Sequence, residues 1–278
     1  MVYKSKNTDL EFVDGVGFLR FPVLKKLGFI NHAFSTRIGG VSKGEFKSMN
    51  LNYKRGDDPD KVTENYRIFC KAAGFEFDSL VSSSQDHNTF VRRVTKADSG
   101  IGITRPHDIQ SVDALITDEP GVTLVTHYAD CTPLLFADPE KKVIGLAHAG
   151  WRGTVGKIAE ATVDKMEFEF GCDKADIIAV VGPAIGACCY EVDTPVYEEF
   201  ASLTELKPAY FTKTLGHGKY LVDLKETNRR MLMEAGLLSI NIVISDVCTK
   251  CNSGLLYSHR ASGGKRGGLV AMMSITEK

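Results

Sequence analysis

The stretch Tyr128–Gly153, YADCTPLLFADPEKKVIGLAHAGWRG, contains two runs, PLLFA and KVIGLAHA, that are apolar on successive residues rather than on alternate ones. A strand with one wet face alternates, whereas a strand covered on both faces reads as a continuous apolar run. Further β-rich runs, GFLRFPV, VDALIT, VTLVTHYA, DIIAVVG, INIVIS and GLVAMMSI, occur in groups as well as between helices. That order predicts an α+β architecture with stacked sheets rather than regular βαβ winding.

Helix signals punctuate these runs. DDPDKVTENYRIFCKAAG has Asp58 as N-cap, Pro59 at the first helical position, Val62, Tyr66, Phe69 and Cys70 on one stripe, and Gly74 as a stop. Other helices are expected from Trp151 to about Phe170, from Thr194-Pro195, and from Asp223 to a stop at Gly236. No linker, repeat or low-complexity segment marks a boundary, so a single domain over residues 1–278 is expected.

Composition narrows the function classes. The net charge of -1 offers no basic face, so neither nucleic acid nor a membrane surface is an expected partner; a small anionic or nucleotide-like ligand held by local arginines fits better. The N-terminus lacks an apolar signal core and no run approaches the ~20 apolar residues of a membrane span, which predicts a cytoplasmic protein. Seven cysteines, an odd and scattered count, make a poor disulfide framework, leaving thiols for chemistry or metal.

Cys131 falls in the turn between VTLVTHYA and PLLFA, His148 at the end of KVIGLA before small residues, and His87 where SQDHNTF enters a polar turn. Two histidines and one cysteine form a zinc set that leaves a fourth position open for water or substrate, with the cysteine held as thiolate. The same residues also suit a thiol amidohydrolase: Cys131 as nucleophile, His148 or His87 as base, and Asp130 or Asp113 orienting the imidazole. Spacing leaves both open.

Arg37, Arg152, Arg260 and Arg266 lie beside Gly or Ser, where backbone N–H groups can share an anion. Cys248 and Cys251 form one CxxC without a second pair or nearby histidines to complete a zinc site, and Cys188 and Cys189 are adjacent. These four are expected to be structural thiols.

Taken in order, FSTRIGGVS, QDH, VDALIT, YADCTPLL, AHAGWRG, VGPAIGACCYEV and YSHRASGGKRGG resemble the motifs of the YfiH/YlmD family, also called the polyphenol oxidase or LACC1-type purine nucleoside phosphorylase family. The resemblance runs from about Phe29 to Gly268 and is most specific at ADCTP followed by HAGWRG. It implies a four-layer αββα sandwich similar to that of a bacterial toxin deamidase. It also implies that His87, Cys131 and His148 bind one metal, usually zinc and sometimes copper.

The activities implied are phosphorolysis of adenosine, inosine and 5'-methylthioadenosine to free base and ribose 1-phosphate, and deamination of adenosine. Purine nucleosides and phosphate are thus the expected partners. Arg37, with the N–H groups of its IGG loop, is the expected phosphate anchor; Asp130, Arg152 and Arg260 complete the expected substrate-binding set. Laccase chemistry fits poorly, because a multicopper centre needs about ten histidines with HxH clusters. This chain has seven histidines, none spaced HxH. The HxE and PCxxC signatures of zinc deaminases are absent too, leaving any deaminase proton shuttle unassigned.

Overall fold

The computed structural model describes residues 5–108 and 110–276. All seven residues of Thr132–Asp138 and all seven of Val143–Ala149 are buried, and the two strands pair antiparallel with Pro133 opposite His148. Successive side chains enter different interfaces. Leu134 and Phe136 join one apolar cluster while Leu135 and Ala137 join another, so the unbroken apolar run is what burial on two faces requires.

These strands are central in a six-stranded sheet ordered Ile242–Ile244, Ile178–Val181, Thr132–Asp138, Val143–Ala149, Ala114–Thr117, Val91–Arg93. A second six-stranded sheet runs Asp9–Val13, Val16–Arg20, Ile30–Ser35, Leu269–Ile275, Thr123–Tyr128, Leu80–Ser82. The sheets stack through Leu135, Ile144 and Leu146 on one side and Leu124, Leu269 and Met273 on the other. Helix Pro59–Ala73 covers the outer face of the second sheet, packing Val62, Tyr66 and Phe69 with Phe18, Val125 and Met272. Helices Ile158–Phe170 and Leu224–Glu234 cover the outer face of the first around Phe136, Ala147 and Ala179. The layers are therefore αββα, and each fully buried large apolar side chain adds about 1.5–3 kcal/mol.

Local signals mark the ends of these elements. Asp58 accepts from the N–H of Asp60 at 3.1 Å, Pro59 opens the helix, and Gly74 closes it at φ 75° with its N–H on Cys70 O. Asp223 caps its helix by accepting from the N–H groups of Lys225 and Glu226. Two expectations are corrected. The helix expected from Trp151 to Phe170 is two, Trp151–Val155 and Ile158–Phe170, because Lys157 takes a left-handed φ of 70° that no continuous helix accommodates. GFLRFPV is not one strand: pairing stops at Arg20, and Pro22, with φ preset and no N–H, opens the short helix Pro22–Lys25. A small sheet of Glu191–Asp193, Lys219–Val222 and Thr212–Gly216 was not anticipated.

Two connections decide where chemistry can sit. The turn Ala129–Cys131 carries the chain from strand Thr123–Tyr128 of one sheet into Thr132–Asp138 of the other. Residues 83–90 make a second crossing, from Leu80–Ser82 to Val91–Arg93. No helix among the described residues is long and apolar enough to cross a membrane.

Candidate metal centre

His87 and Cys131 lie one on each sheet crossing, and His148 near the end of strand Val143–Ala149. Packing the sheets brings the three together, with one ligand atom from each within 4.8 Å of the others. Cys131 Sγ lies 3.9 Å from His87 Nε2, and the two imidazoles meet edge to face at 4.8 Å between centroids. His148 is buried, Cys131 half-buried and His87 exposed, so the group opens to solvent on one side.

Asp113, fully buried, organises the group. Its Oδ1 accepts from His148 Nδ1 at 2.7 Å, leaving Nε2 as the ring nitrogen free to ligate. Its carboxylate also accepts the backbone N–H groups of Asp86, His87 and Asn88 at 3.0, 3.1 and 3.0 Å. One carboxylate therefore aims His148 and pins the turn that presents His87. Burial opposes its charge, but the hydrogen bond and positive charge of His148, with the backbone N–H groups, outweigh that and hold the carboxyl below its usual range.

Backbone conformation at the centre is unusual. His87 and Asp130 take positive φ of 64° and 88°, a region costly for residues with a Cβ. Gly150 has no such φ, yet a Cβ there would stand 2.5 Å from His87 Cδ2 and 3.2 Å from Cys131 Sγ. The glycine two residues after His148 lets the backbone close over the site.

Electrostatics favour an ionised sulfur. Burial opposes ionisation of Cys131, but the charge of His148 and hydrogen bonds from His148 and His87 outweigh it and draw the thiol down to about 6. For His148, burial disfavours the cation, while the Cys131 thiolate and Asp113 overcome that and raise it to about 9. A thiolate and two imidazoles converging on one point form a borderline-soft donor set that fits a zinc or copper ion.

Two recesses meet at this centre. The larger, ≈690 Å³, has apolar and aromatic walls from Trp151, Ile185, Tyr190 and Val196, with Arg260 on its rim. The smaller, ≈250 Å³, is basic through Lys54, Arg55 and Arg266, with His107 and His127 also lining it. Cys131, His87, Arg55 and Arg266 line both. Arg55 and Arg266 donate to the carbonyls of Gly264 and Gly267 through one nitrogen each, but the buried Nε of each has no partner. Burial, and then the charge of Arg55, lower Arg266 to about 10. Two cations lining one cavity suit an anionic ligand.

The expected substrate contacts divide. Arg260 reaches the larger recess, with its guanidinium 5.5 Å from the Tyr190 ring centroid and Nη1 on Glu191 O at 2.8 Å. Asp130 lines the same recess, but its carboxylate is taken by Thr249 Oγ1 at 2.5 Å and the Arg260 N–H at 2.7 Å, so it braces two loops. Arg152 is exposed, stacked 4.2 Å over Trp151, and lines neither recess. Arg37 is not brought to the centre. Its guanidinium donates to Lys47 O and Ser253 O and lies 4.7 Å from the Tyr257 ring, and the Gly39 and Gly40 N–H groups of its loop are spent on Ser48 Oγ. Among the residues of the smaller recess missed in the sequence is Arg55, although it precedes Gly56 and so carries the same Arg-beside-Gly signal.

The family model described as multi-copper polyphenol oxidoreductase laccase matches residues 31–276. The chain belongs to this family. Among its relatives, the purine nucleoside phosphorylase YlmD of Geobacillus stearothermophilus is 38% identical over 246 residues, covering 88% of this chain and 89% of that protein. The purine nucleoside phosphorylase YlmD of Bacillus subtilis is 36% identical, covering 88% of each. The crystal structure of Bacillus licheniformis YfiH superposes with a TM-score of 0.90 at 32% identity, over 96% of this chain and 99% of that one. The laccase description of the polyphenol oxidoreductase family contrasts with its phosphorylase-named members. In this member the described residues offer one group with histidine ligands, His87, Cys131 and His148, and no cluster of histidines for several coppers.

Proposed function

We propose that the protein is a metal-dependent purine nucleoside phosphorylase, acting on adenosine, inosine and 5'-methylthioadenosine, that also deaminates adenosine. The observation that carries this reading is the position of the His87, Cys131 and His148 group, where an aromatic-walled recess meets a basic one. A purine nucleoside is a flat apolar ring on a polar sugar, and phosphate needs fork-like cationic donors. The two recesses have those chemistries. The names of the relatives point the same way.

In phosphorolysis a phosphate oxygen bonds to C1' of the ribose as the bond to the base breaks, and the base leaves with the electron pair and takes up a proton. Arg55 and Arg266 hold the phosphate in the smaller recess. Trp151 and Tyr190 flank the base in the larger recess, and Arg260 holds the polar edge of the nucleoside. His87, Cys131 and His148 would ligate a zinc ion, or copper in its place. Such an ion supplies Lewis acidity and an acidified water for the hydrolytic deamination. Asp113 keeps the proton on His148 Nδ1, so that Nε2 stays available.

A second reading draws on the Asp113, His148 and Cys131 alignment. A thiol drawn down to about 6 beside an oriented imidazole is also the equipment of an amidohydrolase acting on an amide or a cell-wall peptide precursor. One experiment separates the two. Purified protein is assayed for metal, then incubated with adenosine and inosine with and without phosphate, and bases and nucleosides are resolved by chromatography. Stoichiometric metal lost in Cys131→Ala, with hypoxanthine released from inosine only when phosphate is present, supports the phosphorylase. Metal-free wild-type protein, or no purine product from the metal-loaded enzyme, overturns it.

A further inference from the structure

Cys248 and Cys251, read in the sequence as an incomplete CxxC, are joined in the fold by Cys188 and Cys189, about 60 residues earlier in the chain. All four sulfurs lie within 4.8 Å of one another, with Cys251 Sγ 3.5 Å from Cys188 Sγ and 3.4 Å from Cys189 Sγ. These separations are far longer than the ~2.05 Å of a disulfide. They approach the ~3.8 Å edge of a sulfur tetrahedron with metal bonds of ~2.3 Å. We propose that Cys188, Cys189, Cys248 and Cys251 bind one zinc ion as a tetrathiolate site, separate from the His87, Cys131 and His148 centre.

The surroundings are built for a charged sulfur cluster. The Gly186 N–H donates to Cys248 Sγ at 3.2 Å, and a Cβ on Gly186 would press on Cys188 Sγ and Cys248 Cβ, both at 3.3 Å. The two loops run side by side through a parallel bridge between Ala184 and Cys248, with the Thr249 N–H on Ala184 O. Four thiolates on a divalent ion carry a net charge of −2 after releasing their protons to solvent. Lys225, a buried lysine with no role in the proposed reaction, interacts electrostatically with Asp223 first and then with Cys248, Asp246 and Cys188, and donates to Ser245 O and Val247 O. Zinc suits the position because Cys188 and Cys251 are exposed and zinc has no redox chemistry to drive sulfur oxidation there.

The site has a structural consequence for its neighbour. Both loops that it ties together hold Asp130: the Ile185 N–H donates to the Asp130 carbonyl at 2.9 Å, and Thr249 Oγ1 donates to its carboxylate. Asp130 immediately precedes Cys131. Zinc on the four cysteines fixes the backbone from which Cys131 projects.

The test uses the full chain carrying His87→Ala and Cys131→Ser, which removes the other centre, with and without Cys188→Ser and Cys251→Ser. Native mass spectrometry in reducing buffer after zinc addition should find one zinc in the first protein and none in the second, with circular dichroism confirming that both are folded. Cobalt(II) added to the metal-stripped first protein should give intense thiolate charge-transfer and tetrahedral d–d bands. That spectrum decides the matter even if the second protein does not fold. A metal-free first protein, zinc retained in the folded second, or a cobalt spectrum without thiolate bands overturns the site. Because the His87 and Cys131 ligands are already gone, failure here is distinguishable from failure of the phosphorylase reading.

Discussion

Asp113 Oδ1 lies 2.7 Å from His148 Nδ1, and the same carboxylate accepts three consecutive backbone N–H groups from the turn bearing His87. Two of the three candidate ligands therefore depend on one buried side chain that ligates nothing itself. Asp113→Asn keeps the shape but gives up the charge and an acceptor oxygen. Metal affinity should fall about 10- to 100-fold, as measured by competition with a chromogenic chelator. Unchanged affinity would show that the carboxylate does not orient the ligands.

Gly150 tests how tightly the centre is closed. A methyl group there would lie 2.5 Å from His87 and 3.2 Å from Cys131, so it would push on two of the three candidate ligands. Gly150→Ala should fold with wild-type circular dichroism yet lose about 100-fold in activity, the scale associated with a displacement of about 1 Å. Metal content should fall in parallel.

The arginines give a contrast that the sequence alone does not place. Arg55→Ala and Arg266→Ala should each raise the KM for phosphate by about 10- to 100-fold, the worth of about 1.5–3 kcal/mol for a hydrogen bond to a charged group. Metal content should be unchanged. Arg37→Ala should leave that KM alone and lower stability instead, because its donors hold Lys47 O and Ser253 O. Steady-state kinetics with varied phosphate, beside thermal melts of all three variants, decide between these assignments.

His32 predicts an acid sensitivity unconnected with the metal centre. Its Nε2 accepts the Phe21 N–H at 2.8 Å, and burial, reinforced by Arg20 and Lys25, lowers its pKa to about 3. In the unfolded chain it titrates near 6.5, so between pH 6.5 and 3 the unfolded state takes a proton that the native state refuses. Stability is fully present above 6.5 and falls as the pH drops. From pH 7 to 5 this one residue should cost about 2 kcal/mol. Urea unfolding at pH 7, 6 and 5 should show a shallower slope in His32→Gln than in the wild type, where His127, also lowered to about 3, adds its own share; equal slopes would remove His32 as a cause.

Much of the fold was legible because its signals are local. Continuous apolar runs such as PLLFA announce two-sided burial, and Asp58, Pro59 and Gly74 mark a helix through their own backbone preferences. The position of Cys131 in a turn could likewise be read, since Pro133 and the flanking runs bound it. Which aspartate would orient the histidine could not: Asp130 adjoins Cys131 in sequence, but its carboxylate turns to Thr249 and the Arg260 N–H, while Asp113 faces His148.

Sequence by itself determined stacked, two-sided sheets and most helix ends, because periodicity and capping act within a few residues; the αββα order and the metal reading of the centre came from the family resemblance. Only the tertiary structure decided that Arg55 and Arg266 face the centre while Arg37 braces a loop. It alone joined Cys188 and Cys189 to Cys248 and Cys251. Those outcomes depend on side-chain direction in loops and on contacts across tens of residues, and the stacking of the two sheets sets both.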